Sequence, residues 1–188
     1  GGVHLRLGVE PDIALFAKSL GNGHPIGAVI GTRAAMEGAH DSFVSSSYWT
    51  EAVGPAAALA TLEKMARVDV PAHVGHVGTL IKDGWRGAAE RQGVLLSVEK
   101  GAPALAHFVF DHPQSQELRT LFTQLMLARG FLAGPAVYCT MAHTEEHVAL
   151  YAEAVEQVFA ELARAIDADT ILEHLKGPVA HKGFRRLL

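Results

Sequence analysis

The chain has 188 residues, of which 49% are hydrophobic, so it can bury a substantial core in one large domain or in parts of two. A formal net charge of -4 without a basic stripe disfavours nucleic acid as the partner. No apolar run approaches the ~18 residues of a membrane helix. The single cysteine, Cys139, excludes an intrachain disulfide and favours a reducing, cytoplasmic setting.

Two short apolar runs near the start predict two strands. Residues 13–17 have the composition of a strand that is buried on both faces, and residues 26–30 form a second run of the same kind. The connection between them contains Gly21, Asn22 and Gly23, which tolerate positive φ. We therefore expect a tight loop there that is not a hairpin.

A short helix, a loop and a longer helix are predicted next. Thr32 is placed to cap a helix that runs to Met36. The polar and aromatic sequence of residues 45–49, SSSYW, is typical of a loop. The residues from Thr50 onward are rich in helix formers and predict a helix that ends near Arg67.

The pair Val70-Pro71 interrupts the chain after this helix and marks the predicted domain boundary. The boundary divides the chain into residues 1–69 and residues 70–188. The segment from Ala72 to Gln92 predicts another helix in spite of its four glycines.

The remaining chain alternates strands and helices. Residues 94–100 and 104–110 predict an antiparallel pair of strands. Residues 114–129 repeat their apolar positions at helical period, and one or two short strands are expected within residues 131–140. The last helix is predicted from Thr144. Its expected core stripe is Val148, Tyr151, Ala152, Val155, Val158, Phe159 and Leu162. This alternation predicts an α/β or α+β class.

Lys18 stands at the end of the first apolar run and just before the glycine turn. One interpretation is a strand-end lysine whose stem covers apolar surface while its ammonium group reaches water. The other is a lysine that forms a Schiff base with a carbonyl. That chemistry needs an amine able to lose its proton, and partial burial lowers lysine pKa values. It also needs a rigid support, which a buried strand provides, and free space, which a glycine turn provides.

The segment around this lysine carries a resemblance to a known family. Its sequence, PDIALFAKSLGNGHPIGAVIG, resembles the lysine segment of class III aminotransferases, which are pyridoxal 5'-phosphate enzymes of fold type I. The shared order is Pro-Asp, an apolar strand, a lysine, a Gly-rich turn, a proline and Gly-Ala. The resemblance implies that Lys18 is the catalytic residue, which forms the Schiff base with the cofactor and later moves protons.

A second segment, residues 45–65, resembles the loop and alanine-rich helix that follow in the same family. The resemblance implies that Ser46 and Ser47 bind the cofactor. Ser47 falls on the position of the family's phosphate-binding threonine and keeps its hydroxyl donor. Because that loop reaches the phosphate of the neighbouring subunit in the family, the resemblance also implies a homodimer.

The segment from Leu121 to Phe159 resembles the small domain of the aminomutase-like branch, near glutamate-1-semialdehyde aminomutase. The family residues that bind the pyridine nitrogen, cradle the phosphate and stack on the ring cannot be placed in the chain. The implied architecture is the C-terminal part of the cofactor-binding large domain, residues 1–69, followed by a small α+β domain, residues 70–188. The implied function is amino-group transfer or migration on an amino acid or amine, with the N-terminal half of the subunit supplied elsewhere.

Two other interpretations stay open. The sequence from His143 to His147 fits H-x-x-E-H, in which two histidines bind zinc and Glu146 is the base of a peptidase. An N-cap at Thr144 explains the same residues without a metal, and we expect no metal ligands. The second alternative is an inert segment that acts only in dimer contacts.

Three further side chains have expected positions. His24 lies in the loop that follows Lys18 and is a candidate for a position near the substrate. Arg6 is a candidate partner for a substrate carboxylate. Trp85 is expected to pack between the two domains.

Overall fold

The computed structural model describes residues 2–181 and 183, which form two compact units. The first unit ends at Asp69 and the second begins at Val70. Both units combine helices with antiparallel strands. Among the described residues, no helix has both the length and the apolar character that crossing a membrane requires.

The first unit contains three helices and one two-stranded sheet within its described part. In chain order these are α1 (Val3–Leu7), β1 (Ile13–Phe16), β2 (Ala28–Gly31), α2 (Arg33–Glu37) and α3 (Val53–Arg67). A 3-10 turn at Lys18–Leu20 follows β1 directly.

The pairing and burial of β1 and β2 differ from the sequence prediction. The two strands pair antiparallel, with Ile13 opposite Gly31 and Phe16 opposite Ala28. Their connection is therefore a wide hairpin, and the predicted non-hairpin loop is wrong. The prediction of burial on both faces is also wrong for this chain, since Leu15 is 77% exposed and Ile30 is 57% exposed. The ribbon has two strands only, and most of its side chains are exposed.

The predicted caps and ends of the helices in the first unit are largely confirmed. The Thr32 hydroxyl accepts a hydrogen bond from the backbone N–H of Ala35 at 3.3 Å and caps α2. Helix α3 ends at Arg67 as predicted but begins at Val53, three residues after Thr50.

The second unit packs helices against a three-stranded sheet. Its helices are α4 (Val70–Gln92), α5 (Ser115–Ala128) and α6 (Glu145–Asp167), and its strands are β3 (Leu96–Val98), β4 (Leu105–Phe110) and β5 (Ala136–Tyr138). A 3-10 turn, Ile171–His174, follows α6. Helix α4 includes Val70 and Pro71, because proline is tolerated in the first turn of a helix, where its missing N–H has no partner to lose.

The sheet has the order β3-β4-β5, with both pairs antiparallel, which confirms the predicted pairing of the first two strands. Along β4, side chains alternate between core and surface, so that Ala106, Phe108 and Phe110 are buried. Phe108 and Phe122 of α5 meet edge to face, with ring centroids 5.4 Å apart.

Trp85 lies in the core of the second unit and is fully buried there, so its predicted position between the domains is wrong. Its ring meets Phe108 edge to face, and its Nε1–H donates to the Tyr151 hydroxyl at 2.9 Å. Burial raises the pKa of the Tyr151 hydroxyl, which therefore stays protonated. A buried tryptophan needs a partner for its N–H, and Tyr151 of α6 provides it.

Helix α6 has the predicted core stripe with one exception. Ala152 is half-buried, whereas Ala154 and Ala165 join the buried face.

Helix α4 packs on α6 and holds the turn between β3 and β4. The Lys82 ammonium group is buried and donates to the carbonyl oxygens of Glu99 at 2.8 Å and Gly101 at 2.9 Å.

Two glycines of α4 have opposite surroundings. A Cβ at Gly78 would overlap the carbonyl oxygen of Pro103, so the turn approaches α4 where no side chain stands. A Cβ at Gly84 would lie 3.9 Å from the Cβ of Ala152, which is an ordinary van der Waals contact. Glycine is therefore required for packing at position 78 and not at position 84.

We expect Gly84→Ala to stabilise the chain by about 0.5–1 kcal/mol, because alanine restricts the unfolded chain and favours the helix. We expect Gly78→Ala to destabilise it by about 1–3 kcal/mol, because the turn must move. Urea unfolding followed by circular dichroism compares the two variants, and equal midpoints would contradict the packing described.

Candidate functional site

Lys18 follows β1 at the first position of the 3-10 turn and has φ +49°. This left-handed conformation is uncommon for residues with a side chain and costs about 1–3 kcal/mol. The carbonyl oxygen of Ala17 accepts from the N–H of Leu20 at 3.0 Å, which helps to hold the turn. Residues in such conformations cluster at functional sites. Lys18 shares this feature with Asn22 and Asp169 among the described non-glycine residues.

The turn continues through two further hydrogen bonds. The N–H of Asn22 donates to the carbonyl of Ser19 at 3.2 Å, and the N–H of His24 donates to that of Gly21 at 3.1 Å. The expected positive φ is confirmed at Asn22 (+46°) and Gly23 (+103°). Gly21 instead has φ -88° and is needed for space, because a Cβ there would overlap the carbonyl oxygen of His24.

The N-terminus of α3 packs against the end of this turn. Gly54 is buried, and a Cβ there would lie 2.5 Å from the carbonyl oxygen of Pro25. The Glu51 carboxylate accepts from the N–H groups of Val53 at 2.6 Å and Gly54 at 2.9 Å. Because Pro55 has no N–H, the Glu51 carboxylate accepts from both of the N–H groups that precede this proline at the start of the helix.

These bonds also change the acidity of Glu51. The N–H of Gly54, then that of Val53, lower the pKa of this carboxyl below its usual 4.5, and the nearby His24 has a smaller effect in the same direction. Sequence analysis missed Glu51 because it placed the helix start at Thr50. With the start at Val53, a carboxylate two residues before a first turn that contains proline is a recognisable cap signal.

The side chain of Lys18 is exposed in this chain, which differs from the partly buried position that Schiff-base chemistry favours. It makes no hydrogen bond or ion pair within residues 2–181 and 183. Nothing lies within 4 Å of a Cβ built on Gly23, so the expected open space at the turn is present. The Lys18 side chain is therefore exposed beside an open turn.

Ser46 and Ser47 lie in an irregular segment between α2 and α3, as predicted for a loop. Both are exposed, as are the aromatic side chains of Tyr48 (63%) and Trp49 (69%). The Ser46 hydroxyl accepts from the N–H of Tyr48 at 3.2 Å. In the described part of the chain the Ser47 hydroxyl has no hydrogen-bond partner and no hydrogen bond joins either serine to Lys18.

His24 and Arg6 are both exposed in the first unit. His24 belongs to the same turn as Lys18, and its neighbour Pro25 lies against Gly54 at the start of α3. Arg6 lies in α1. Their roles near a substrate stay predictions.

The H-x-x-E-H sequence forms a helix cap. Thr144 is the N-cap of α6, and its hydroxyl accepts from the N–H of His147 at 3.3 Å. His143 lies before the helix, and its Nδ1 accepts from the N–H of Thr140 at 3.0 Å. The two histidines therefore do not share a helix face, which confirms the cap interpretation. Among the described residues, no group of three or more His, Cys, Asp or Glu is placed to hold a metal ion.

Comparison with known proteins identifies the family. The model of the family described as Aminotransferase class-III matches residues 3–166. The chain belongs to this family. The match covers most of both units, and it confirms the resemblance drawn from the lysine segment.

Curated relatives of this class-III chain include enzymes that transfer amino groups and one that moves them. It is 28% identical over 177 residues to an aminopentol aminotransferase of Sphingopyxis macrogoltabida, covering 92% of this chain and 42% of the relative. It is 29% identical over 172 residues to a glutamate-1-semialdehyde 2,1-aminomutase of Lysinibacillus sphaericus, covering 84% and 40%. It is 34% identical over 155 residues to a 2'-deamino-2'-hydroxyneamine transaminase of Streptomyces kanamyceticus, covering 78% and 37%.

Solved structures of the family share the fold. The PLP internal aldimine form of the FumI protein of Sphingopyxis sp. MTA144 superimposes with a TM-score of 0.80 at 26% identity, covering 88% of this chain and 40% of that one. An omega-transaminase of Sphaerobacter thermophilus gives a TM-score of 0.73 at 20% identity, covering 87% and 41%. These likenesses confirm the predicted fold class, part of a fold-type-I transferase. The chain spans about two fifths of the length of the relatives that it matches.

We expect the start of α3 to loosen in acid. The folded pKa of Glu51 is lowered, so its contribution is complete above the usual value of 4.5 and is lost as the pH falls through the lowered pKa. Amide exchange at Val53 and Gly54, followed by NMR from pH 7 to pH 3, should show protection falling in that window after correction for intrinsic rates. Glu51→Gln should remove the pH dependence, whereas Glu63→Gln on the same helix should keep it. Protection at Val53 and Gly54 that depends on pH equally in the native chain and in Glu51→Gln would contradict the cap.

Proposed function

We propose that this chain is the part of a class-III aminotransferase or aminomutase that carries the cofactor-binding lysine, Lys18. The observation that carries the proposal is the combination of this lysine, at φ +49° beside an open turn, with a family match that includes it. The strained backbone places Lys18 at the end of β1. An amine that reacts with a bound aldehyde needs such a fixed starting position.

The residues present fit pyridoxal 5'-phosphate in part. Lys18 offers an amine without a partner in the described chain, and Ser47 offers a free hydroxyl donor of the kind that phosphate accepts. Ser46 is the second candidate donor of this loop. The cofactor, when bound, supplies an aldehyde that takes up amino groups and a ring that stabilises negative charge.

The proposed work of Lys18 has two parts. Its Nζ would hold the cofactor in place until the amino group of a substrate displaced it. The freed Nζ would then accept a proton from the substrate carbon that bears the amino group and return it at a neighbouring position. Hydrogen bonds in the turn that follows fix the backbone from which this side chain extends.

The substrate class is an amino acid or an amine. Transfer between two molecules and migration within one molecule need the same lysine, and relatives named for each of these reactions match the chain. The proposal therefore covers amino-group transfer in general, with the aminomutase reaction as one form of it.

We also propose that the complete site needs a homodimer and the part of the fold that the relatives have in addition. The first unit exposes more large apolar side chains than a monomeric protein usually leaves in contact with water. These side chains are Leu5, Leu7, Leu15, Val29, Ile30, Phe43, Trp49, Leu59 and Leu62. The exposed loop with Ser46 and Ser47 fits a role in reaching a neighbouring subunit.

The Lys18 assignment is tested by trapping. The chain is incubated with pyridoxal 5'-phosphate, reduced with borohydride and mapped by mass spectrometry. We expect a pyridoxyl group on Lys18 at a lower cofactor concentration than on any other lysine, because its strained turn places this side chain beside open space. Lys18→Arg should lose this modification, and Lys64→Arg should keep it.

The same experiment separates the proposal from the inert-segment alternative. The trapping is repeated with the chain joined to the remaining part of a class-III fold. Preferential labelling of Lys18 in the 188-residue chain supports the proposal. Labelling of Lys18 in the joined form alone supports the interpretation that the segment is inert by itself. Labelling that is spread evenly over exposed lysines in both forms would overturn it.

Ser47 is tested through cofactor affinity in the joined form. We expect Ser47→Ala to weaken binding of pyridoxal 5'-phosphate about 10- to 100-fold, because a hydrogen bond to a charged phosphate is lost. Ser47→Thr should keep the affinity, and Ser45→Ala serves as the control in the same loop. Equal cofactor dissociation constants for Ser47→Ala and the native chain, measured by fluorescence titration, would remove Ser47 from the site.

A further inference from the structure

Three polar side chains on α5 hold the chain that follows the last 3-10 turn. Gln116, Thr120 and Gln124 are spaced four residues apart and therefore form one stripe on the helix surface. All of their bonds to the tail are made with its backbone. We call residues 176–181 the strap.

The strap is bound at both of its ends. The Gln124 side chain donates to the carbonyl of His174 at 2.9 Å and accepts from the N–H of Lys176 at 2.7 Å. Further along, the Thr120 hydroxyl accepts from the N–H of Ala180 at 3.0 Å. The Gln116 side chain donates to the carbonyl of the same residue, Ala180, at 2.6 Å.

The stripe is preorganised for this role. The Thr120 hydroxyl donates its own hydrogen to the carbonyl of Gln116 at 2.7 Å, which turns its lone pairs outward as acceptors. Each glutamine presents a donor and an acceptor, which match the two polar groups of a peptide unit. The strap runs antiparallel to α5, from Gln124 towards Gln116.

Burial changes sharply where the strap begins. Ile171 is 1% exposed, and Leu175 packs against the core of the unit. Lys176, Gly177 and Pro178 are exposed, and the strap has no helix or strand. Local opening is expected where few apolar contacts and exposed hydrogen bonds hold a segment.

We propose that the stripe Gln116–Thr120–Gln124 is a docking surface for extended backbone, and that the strap, its occupant, detaches as one piece with its hinge at Leu175. The rest of the second unit stays folded when the strap leaves, because Ile171 and Leu175 remain anchored. The hydrogen bonds of the stripe reach backbone N–H and C=O groups of the tail and no tail side chain. Val179 is the strap residue that is half-buried.

The test is amide hydrogen exchange on the whole chain, resolved residue by residue by NMR. We expect the amides of Lys176 and Ala180 to exchange faster than those of β4. Leu118→Ala, which weakens the core, should speed exchange in β4 at least tenfold and leave the strap amides unchanged. If the exchange of the strap amides in this variant speeds up as much as that of β4, the strap does not open independently of the core.

Variants of the stripe test whether the strap moves as one piece. Gln124→Leu should lower the protection of both Lys176 and Ala180 about fivefold or more, because the strap loses its bond at Lys176 and the residue before the hinge, His174, loses its own bond to Gln124. Thr123→Val is the matched control, since the Thr123 hydroxyl bonds only to its own helix at the carbonyl of Arg119. A loss of protection confined to Lys176 would contradict a single moving piece.

Variants of the strap test whether backbone alone is read. Ala180→Pro removes the N–H that reaches Thr120 and should free the strap, as seen in faster exchange at Lys176. Ala180→Ser keeps the N–H and should leave that exchange unchanged. Equal effects of the two substitutions would contradict the proposal that the stripe binds the strap through its backbone groups.

Discussion

The close approach of backbone to backbone at Gly21 and Gly54 is the constraint on which the lysine-bearing turn depends. At Gly21 a side chain would overlap the carbonyl oxygen of His24, and at Gly54 it would crowd that of Pro25. With hydrogen atoms at both positions, α3 can pack against the turn, and its first N–H groups are held by Glu51. The strained conformation of Lys18 persists because the structure on both sides of the turn is fixed.

The two units of this aminotransferase-family chain have different degrees of internal support. The second unit buries a continuous aromatic core, in which Trp85, Phe108 and Phe122 are fully covered and the polar Trp85 N–H has a partner. The first unit has short strands, and Ala58 is its one buried hydrophobic residue in the described part of the chain. Because apolar burial is the main source of folding free energy, the first unit gains more from added partners than the second. This difference agrees with a proposed site that is completed by other parts of the fold.

Many features of the fold could be predicted from sequence because they depend on local chemistry. The Thr32 and Thr144 caps, the end of α3 at Arg67 and the apolar stripe of α6 follow from residue types at helical spacing. The order of residues in the lysine segment is also sufficient to indicate the family, which the match to residues 3–166 confirms. The errors concern contacts between distant residues: the burial of β1, its pairing with β2 and the location of Trp85. An apolar run indicates that a strand should be covered without indicating what covers it.

The candidate site divides along the same line. Sequence alone determined that Lys18 precedes a turn tolerant of positive φ and that serine hydroxyls precede α3, because these are properties of neighbours along the chain. Only the tertiary structure decided that Lys18 itself has positive φ and that Gly54 lies against Pro25. Backbone conformation and close approach arise when segments far apart in sequence compete for the same space, and no single stretch of residues specifies that outcome.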